Sequence, residues 1–437
     1  MTRHLLVAEA DHIQDLLFRS SQLREVVGGS QLLKRFSNDV PRLLAEALEL
    51  TLDADVEIIT TGGGGFYLDF ADANTAQRFG AALAEAYYRT TGSTLSVIAR
   101  PVEYSGKDED YPQASEKASE YLHAAKRQGS FVALAQMPYI AFCESCGVGL
   151  AEAHEKRSVD EAEREESRYL CPACRAKAAE RVDRSLGQFL KPFYARIVSA
   201  DSLDSKDKME WPHDADSVGR FDPRNYVAYI VADGNDMGQV FNKCSKSQAK
   251  ALSRQMNESL QTSLAAPVRT FRQSPAGNTI QQFLPVLPLI MGGDDLFALV
   301  PAPWALDIAG HLCRDFQKQM TEFARAQGIL ADSEAITMTA AVVICKANYP
   351  YYLAHKIGDA RLRKAKRVVK ALARDEGHYL SAVDFEVILG SQVEPASWSQ
   401  ECDYLPTLRP YWVMDDADQP VVLPPRAWGL PLDILGS

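Results

Sequence analysis

The sequence predicts an α+β fold in which helices cover one face of mainly antiparallel sheets. An ordered set of apolar strands, a glycine-rich hairpin and helices occurs twice along the 437 residues. The segment between the two copies carries four cysteines in two pairs. Hydrophobic residues make up 46% of the chain and charged residues 24%, which is the usual balance of a globular protein. We therefore divide the chain into a first repeat, an insert, a second repeat and a C-terminal extension.

The first repeat covers residues 1–136. The apolar segment from His4 to Asp11 predicts a buried strand, and two apolar segments around the glycines between Glu57 and Phe70 predict a hairpin. A further strand is expected from Ser93 to Tyr104, followed by a helix that ends in HAAKRQG. This hairpin carries only glycines at its tip.

The second repeat covers residues 220–390 and contains the same four features in the same order. They are the segments Tyr226 to Gly238, Val286 to Val300 and Ala335 to Cys345, and a helix that contains RKAKRVV. The order strand, helix, two strands, helix, strand is ferredoxin-like, and it is also the order of the palm domain of many polymerases and nucleotide cyclases. The sequence thus predicts two ferredoxin-like, palm-type domains.

The insert, residues 137–219, contains the pairs Cys143/Cys146 and Cys171/Cys174. Two C-x-x-C pairs predict a four-sulfur zinc site, which is structural because no coordination position stays open. The alternatives are redox-active or simply buried thiols, and His154 in place of one cysteine. An acidic stretch from Ser199 to Ser217 is expected to be an exposed loop, and its His213-Asp214 pair to lie at the surface. The extension, residues 391–437, has no clear periodicity.

The second hairpin carries Gly292, Gly293, Asp294 and Asp295, and Asp233 lies at the end of the strand expected beside it. Adjacent carboxylates repel each other unless a cation lies between them. In a palm the first strand and the hairpin are neighbours, so Asp233 and Asp294 are predicted to share Mg²⁺ or Mn²⁺ ions. The alternative is a turn that is merely rich in Gly and Asp.

Further candidate nucleotide contacts flank these carboxylates. Gly234 and Asn235 follow Asp233, and Lys366 lies in a basic helix from which one ammonium group can reach phosphate oxygens. Lys126 has the corresponding place in the first repeat. Near the N-terminus, the segment Gly28-Gly29-Ser30 either contacts phosphate or ribose through backbone N–H groups, or breaks a helix.

Several classes of protein are excluded. The net charge of −11 argues against a surface built as a whole to bind nucleic acid. No segment of about 18 apolar residues predicts a membrane span, and the N-terminal sequence lacks the features of a secretory signal. We expect a cytoplasmic protein. Neither the G-x-x-x-x-G-K-[ST] loop of P-loop ATPases nor the G-x-S-x-G elbow of serine hydrolases occurs, so the sequence predicts neither kind of site.

Taken in order, these segments resemble the large polymerase/cyclase subunit of type III CRISPR effector complexes over roughly residues 4 to 390. The motifs that carry the resemblance are REVVGGSQLL, GGGGFYL, the two cysteine pairs, YIVADGNDMGQVF, GGDDLFALV, CKANYPYYLAHKIGDARLRKAKR and SAVDFEVI.

The resemblance implies two palm domains that each hold one ATP, with the GGDD palm joining ATP into cyclic oligoadenylate second messengers when target RNA is bound. It implies metal ligation by Asp233 and Asp294, a metal or catalytic role for Asp295, and nucleotide contacts at Gly292, Gly293, Gly28, Gly29 and Ser30. The implied partners are other CRISPR effector subunits with guide RNA and target RNA. The chain enters the first palm at residue 4, so the histidine–aspartate nuclease domain of many relatives is not expected.

Two further hypotheses remain open from the sequence. One is a cyclic dinucleotide synthase that works alone on other nucleotides. The other is a scaffold subunit that binds nucleotide or RNA without turnover. The mass of the product distinguishes a cyclic dinucleotide synthase from a cyclic oligoadenylate synthase. Release of pyrophosphate distinguishes either enzyme from the scaffold subunit.

Overall fold

The computed structural model describes residues 2–20, 22–128, 141–158, 165–180, 187–198, 209–274, 282–390 and 409–413. The strands are β1 Arg3–Ala10, β2 Val56–Thr60, β3 Gly65–Phe70, β4 Leu95–Val97, β5 Val102–Tyr104, β6 Ala153–Ser158, β7 Glu165–Leu170, β8 Tyr226–Gly234, β9 Leu287–Gly292, β10 Asp295–Pro301, β11 Met338–Lys346, β12 Ser381–Val387 and β13 Tyr411–Val413. The α-helices are α1 Ile13–Phe18, α2 Leu23–Ala47, α3 Ala73–Thr91, α4 Tyr111–Gln128, α5 Pro172–Ala179, α6 Gly187–Tyr194, α7 Ala215–Gly219, α8 Met237–Lys243, α9 Lys246–Gln273, α10 Ala305–Ala326 and α11 Tyr351–Glu376.

The first sheet has the order β2-β3-β1-β4, and β5 also pairs with β1. All of its pairings are antiparallel, and this is the strand order of the ferredoxin-like fold. The sequence predicts one strand from Ser93 to Tyr104, but the structure divides this segment into β4 and β5. Pro101 lies between them, and a proline cannot donate a hydrogen bond to the neighbouring strand.

The second sheet has the order β13-β12-β11-β8-β10-β9. Its strands β9, β10, β8 and β11 repeat the order of the first sheet, while β12 runs parallel to β11 and β13 closes that edge. The two ferredoxin-like domains that the sequence predicts are confirmed. Two strands beyond the repeat extend the second sheet.

Buried strands form the centre of the second sheet. In β8 and β11, nearly every residue is buried, because helices α10 and α11 pack against these strands. Tyr229 of β8 stacks on Phe297 of β10, with ring centroids 5.4 Å apart. Strands covered in this way contain long apolar runs rather than alternating polar residues.

Local signals in the sequence fix several helix ends. Asp72 accepts a hydrogen bond from the Thr75 amide at the start of α3, and Gly92 ends that helix with a positive φ of 66°. Helix α11 starts after Pro350 and ends at Gly377, whose φ is 68°. These are the usual helix caps, in which a side chain satisfies a free N–H group and a glycine takes the left-handed conformation.

The chain forms two compact units, one of Met1–Phe189 with Phe241–Lys250 and the other of Leu190–Val240 with Ala251–Ser437. The cysteine pairs belong to the first unit, and the second unit holds the complete second sheet. Of the acidic stretch, residues 199–208 lie outside the described residues, as does the extension except for residues 409–413. Asp214 caps α7 by accepting from the Ser217 amide, and His213 is exposed. In the described part of the chain, none of the helices is long and apolar enough to span a bilayer.

Candidate active site

Three carboxylates of the second repeat lie at one end of its sheet. Strand β10 runs antiparallel to β8, and Leu296 is opposite Ala232. One residue further along this register, Asp295 comes opposite Asp233. Asp294 forms the turn between β9 and β10. The topology therefore brings together Asp233 and Asp294, which are 61 positions apart in the printed sequence.

Asp294 lies against the backbone of β8. A Cβ atom built on Gly234 would be 2.9 Å from Asp294 Oδ2 and 3.0 Å from Asp294 Cβ. Any residue larger than glycine at position 234 would displace this carboxylate. Gly234, which the sequence suggests as a nucleotide contact, thus also makes room for Asp294 beside Asp233.

The Asp294 carboxyl is crowded by negative charge. Burial raises its pKa well above the ordinary value, and the charges of Asp233 and Asp295 and a hydrogen bond with Asp233 raise the pKa further. Asp295 itself is exposed. An ionised carboxylate is costly here because it loses water and faces like charges. A cation at this position would offset both effects.

The glycines of the hairpin have different surroundings. Gly293 has a positive φ of 66°, a conformation that glycine adopts at little cost. A Cβ on Gly292 would meet nothing within 4 Å. The turn therefore needs glycine at position 293 for its backbone, while position 292 faces open space.

Lys366 of α11 contacts the end of β8. Its ammonium group pairs with Asp233 and donates a hydrogen bond of 2.8 Å to the Gly234 carbonyl. One turn later, Lys370 pairs with Asp236 at 2.8 Å. The phosphate contact that the sequence suggests for Lys366 stays a prediction, and in the structure its ammonium group lies beside the carboxylates. The pairing of Lys370 with Asp236 was not predicted.

Asn235 is buried, with 7% of its surface exposed. Its side-chain nitrogen donates to Thr337 Oγ1 at 2.8 Å, and its oxygen accepts from Thr339 Oγ1 at 3.0 Å. The side-chain amide therefore joins the end of β8 to Thr339 in β11 and to Thr337, which directly precedes β11. The nucleotide contact that the sequence suggests for Asn235 stays a prediction. Nothing in the local sequence identifies the two threonines, which lie more than 100 residues away.

The donor set suits a hard divalent cation. Carboxylate oxygens are the preferred ligands of Mg²⁺ and Mn²⁺, and a cation among these carboxylates would offset the like charges that, together with burial, raise the pKa of Asp294. Asp233 and Asp294 are the residues that would hold such an ion, with Asp295 nearby.

The first repeat has a reduced version of this site. Gly65 of β3 is opposite Glu9 of β1, as Asp295 comes opposite Asp233, and Lys126 pairs with Glu9 at 2.6 Å. Lys126 thus has the counterpart contact expected from the repeat. Gly64 has a φ of 81°, and a Cβ there would be 2.3 Å from Ile13 Cδ1. One acidic residue, Glu9, and one lysine therefore take the places of Asp233 and Lys366.

The segment Gly28-Gly29-Ser30 lies within α2, which continues without a break. The alternative of a helix break is therefore wrong. A Cβ on Gly28 would be 2.2 Å from the Lys177 carbonyl oxygen, and one on Gly29 would be 2.7 Å from Leu17 Cδ2. These glycines allow α5 and α1 to approach α2 closely. The predicted nucleotide contacts of Gly28, Gly29 and the buried Ser30 remain predictions.

The four predicted cysteines come together. The Sγ atoms of Cys143, Cys146, Cys171 and Cys174 all lie within 4.8 Å of one another. Zn–S bonds of about 2.3 Å place tetrahedral sulfur ligands roughly 3.8 Å apart. The Cys146 and Cys171 Sγ atoms are 3.8 Å apart. The cluster is compatible with tetrahedral zinc, and His154 is not part of it.

Comparisons with known proteins point to one family. Residues 226–375 match the model of "Cas10/Cmr2, second palm domain". The CRISPR system Cmr subunit Cmr2 of Pyrococcus furiosus is 25% identical over 189 residues, which cover 38% of this chain and 21% of that protein.

Solved structures of Csm1-Csm4 cassettes share the fold. The cassettes in complex with cA4 and with one ATP match with TM-scores of 0.54 and 0.53 at 15% identity. Each match covers 87% of this chain and 54% of the solved chain, so the chain spans about half the length of these relatives.

The fold and the site together define a protein built on palm domains. More particularly, residues 226–375 are similar to the second palm domain of the Cas10/Cmr2 family. The resemblance to the large subunit of type III CRISPR effector complexes is thereby confirmed.

Proposed function

We propose that this chain is a nucleotidyltransferase that joins ATP into cyclic oligoadenylates in a type III CRISPR effector complex, with Mg²⁺ or Mn²⁺ as cofactor. One observation carries the proposal. The carboxylates of Asp233, Asp294 and Asp295 converge from neighbouring strands, and their mutual repulsion and burial raise the pKa of Asp294. Such crowding lowers stability and is typical of a site that binds a cation.

The names of related structures support the same substrate and product class. Csm1-Csm4 cassettes have been solved with one ATP and with cA4. We infer that the present chain binds ATP and makes products of the cA4 kind. Because the Csm1 chains were solved with Csm4, we also propose a Csm4-like subunit as a partner, together with guide RNA and target RNA, in the cytoplasm.

The reaction transfers an adenylyl group. The oxygen of a ribose hydroxyl on one nucleotide forms a bond to the α-phosphorus of ATP. The bond between this phosphorus and the oxygen that bridges to the β-phosphate breaks, and pyrophosphate is the leaving group. The hydroxyl proton is released as the second product. A bound divalent cation supplies Lewis-acid stabilisation of the phosphate charge and lowers the pKa of the hydroxyl.

The residues of this chain position the groups that react. Asp233 and Asp294 would hold the cation, and Asp295 would add negative charge at the outer edge of the site. Lys366 lies beside Asp233 and can place one positive charge on a phosphate oxygen. The open space at Gly292 leaves its backbone accessible to the nucleotide.

Radiolabelled ATP tests the proposal. The full chain, with Mn²⁺ or Mg²⁺ and with or without partner subunits carrying guide and target RNA, is expected to release pyrophosphate and form oligoadenylates. The double variant Asp294→Asn with Asp295→Asn should lose about 100-fold or more of this activity. Asp332→Asn, the same chemical change at an exposed aspartate in the loop after α10, should keep it.

Other results contradict the proposal. Absence of oligonucleotide under every condition, together with ATP binding and no pyrophosphate release, would favour the non-catalytic scaffold. A product mass corresponding to a dinucleotide of other bases, formed by the isolated chain, would favour the stand-alone cyclic dinucleotide synthase. Equal activity of the double variant and the parent protein would remove Asp294 and Asp295 from the mechanism.

A further inference from the structure

Asn257 of α9 contacts the turn that carries Asp294. Its side-chain oxygen accepts a hydrogen bond of 3.2 Å from the Gly293 amide. Gly293 directly precedes Asp294 and has a positive φ of 66°. The contact joins residues 36 positions apart, so no motif in the sequence indicates it.

The orientation of the Asn257 amide is fixed within its own helix. Its side-chain nitrogen donates to the Ser253 carbonyl at 3.0 Å. Because the nitrogen is held by that carbonyl, the oxygen must point to the other side, toward the Gly293 N–H group. Asparagine suits this position because it donates on one side and accepts on the other.

Helix α9 is held firmly on both sides of Asn257. Its apolar side chains Met256, Leu260 and Leu264 are buried, with exposed fractions of 6%, 0% and 0%. Thr262, further along the helix, accepts a hydrogen bond of 3.1 Å from Arg196. A hydrogen bond from such a helix restrains the turn, because the side chain cannot follow the turn if the turn moves.

The turn needs a restraint of this kind. The carboxylates of Asp233, Asp294 and Asp295 lie together at this end of the sheet, and ionised carboxylates repel one another. Without a bound cation, movement of the turn away from β8 would relieve this repulsion. The hydrogen bond from Gly293 to Asn257 opposes that movement and keeps Asp294 beside Gly234 and Asp233.

We propose that Asn257 is a positioning residue of the metal site, which restrains the Gly293-Asp294 turn so that Asp233 and Asp294 bind one divalent cation together. This inference rests on the proposed function, because it takes the carboxylates to be metal ligands. It assigns to α9 a role in the site beyond that of a connection between strands.

The test compares Asn257→Ala and Asn257→Leu with the parent full chain, using Mn²⁺ alone as the probe. Both variants lose the acceptor, while leucine keeps the bulk of the side chain. The dissociation constant for Mn²⁺, measured by electron paramagnetic resonance, should rise about threefold to tenfold in both, as expected for the loss of one hydrogen bond. Exchange of the Gly293 amide hydrogen should become faster in both.

Gln255→Ala is the matched control. Gln255 lies on the same helix, and its amide donates to Ser259 Oγ of that helix at 3.0 Å. This variant also loses a side-chain amide, and its Mn²⁺ binding and Gly293 exchange should stay at the values of the parent. The melting temperatures of the variants show whether each one folds.

Unchanged Mn²⁺ affinity or unchanged exchange of the Gly293 amide hydrogen in the two Asn257 variants overturns the inference. Parent values of both quantities in Asn257→Leu alone also overturn it, because leucine restores bulk but no acceptor. A parent chain that binds Mn²⁺ but forms no oligonucleotide contradicts the proposed function and leaves the role of Asn257 intact. If the parent chain forms product and the Asn257 variants bind Mn²⁺ normally, only the role of Asn257 fails. A parent chain that binds no Mn²⁺ overturns both.

Discussion

The Asp294 carboxyl, a proposed metal ligand, lies where its ionised form lowers stability. Its pKa is raised by burial first and by Asp233 and Asp295 second. A folded-state pKa above the unfolded value means that the folded chain binds more protons, so stability falls as the pH rises through this range. Above this pH range the ionised group therefore weakens the fold unless a cation is bound.

Asp294→Asn should raise stability and abolish metal binding. The neutral amide removes the repulsion, so in metal-free buffer at neutral pH we expect the melting temperature to rise by roughly 2–4 °C, as for about 1 kcal/mol. Addition of Mn²⁺ should stabilise the parent and leave the variant unchanged, in differential scanning calorimetry. The difference between the two proteins should shrink as the pH falls and Asp294 becomes protonated. A variant less stable than the parent at every pH would contradict this explanation.

Lys366 places a positive charge where the cation is expected. Its ammonium group is 15% exposed and pairs with Asp233, which is 30% exposed. In the absence of nucleotide, the ammonium group and the proposed metal ion would compete for the same carboxylate. In the proposed complex with a triphosphate, the lysine would move its charge to a phosphate oxygen.

Lys366→Gln should therefore strengthen Mn²⁺ binding in the absence of nucleotide. We expect the dissociation constant for Mn²⁺ to fall about threefold to tenfold, because a charge-assisted hydrogen bond no longer occupies Asp233. Lys370→Gln is the control, since it removes the same charge from the same helix but frees Asp236 instead. Titrations with Mn²⁺ followed by electron paramagnetic resonance measure both. An equal change in the two variants would indicate a general effect of charge.

At the scale of the element, helix α11 depends on one glycine for its position. A Cβ atom on Gly358 would be 2.6 Å from Val231 Cγ2 and 3.4 Å from Val343 Cγ2. Val231 lies in β8 and Val343 in β11, so this glycine lets the helix approach both central strands. Lys366 lies on the same helix, and its distance from Asp233 depends on that approach.

Gly358→Ala should lower the free energy of unfolding by roughly 1–3 kcal/mol, because the added methyl group overpacks the contact. Adding Val231→Ala should recover part of the loss, since the two side chains share the same space. Gly238→Ala in α8 is the control, because a Cβ there meets nothing within 4 Å, and it should stabilise by about 0.5–1 kcal/mol. Urea unfolding measures all three, and equal effects at Gly358 and Gly238 would contradict the packing argument.

At the scale of the whole molecule, the cysteine cluster is part of the first unit. Cys174 of this cluster lies on α5, whose Lys177 donates from its ammonium group to the Leu16 carbonyl at 2.8 Å. Ser145, between the first two cysteines, donates to the buried Glu25 of α2 at 2.6 Å. The segments that carry the cluster therefore contact α1 through Lys177 and α2 through Ser145.

Loss of zinc should loosen the first unit. Cys174→Ala removes one of the four thiolate ligands, so bound zinc should fall from about one ion per chain to nearly none. Because structural zinc contributes directly to folding free energy, the first unit should lose stability with it. Hydrogen exchange should then increase in α5 and around Gly28. Cys244→Ala removes a buried cysteine outside the cluster and should keep its zinc. Mass spectrometry measures the bound zinc, and hydrogen exchange measures the loosening of α5 and of the segment around Gly28. A Cys174→Ala protein that still binds zinc would exclude this cysteine as a ligand.

Patterns that lie close together in the sequence predicted a large part of the molecule. The repeat of strands and hairpins follows from runs of apolar residues, and the cysteine cluster follows from two C-x-x-C pairs. Asp233 and Asp294 were predicted as neighbours because the order of the strands in a ferredoxin-like sheet is constrained. The division between β4 and β5 was missed because the effect of Pro101 depends on the pairing with β1.

Only the tertiary structure decided which side chains serve the carboxylates and which serve packing. Asn235 is held by threonines 102 and 104 positions away, and Asn257 reaches Gly293 across 36. Gly28 lies within a continuous helix against Lys177, although its sequence is compatible with a phosphate contact. The sequence by itself determined the periodic elements and the residue types of the two candidate metal sites, because these depend on local spacing. The environment of each side chain depends on contacts between distant segments, which are established only when the sheets and helices pack.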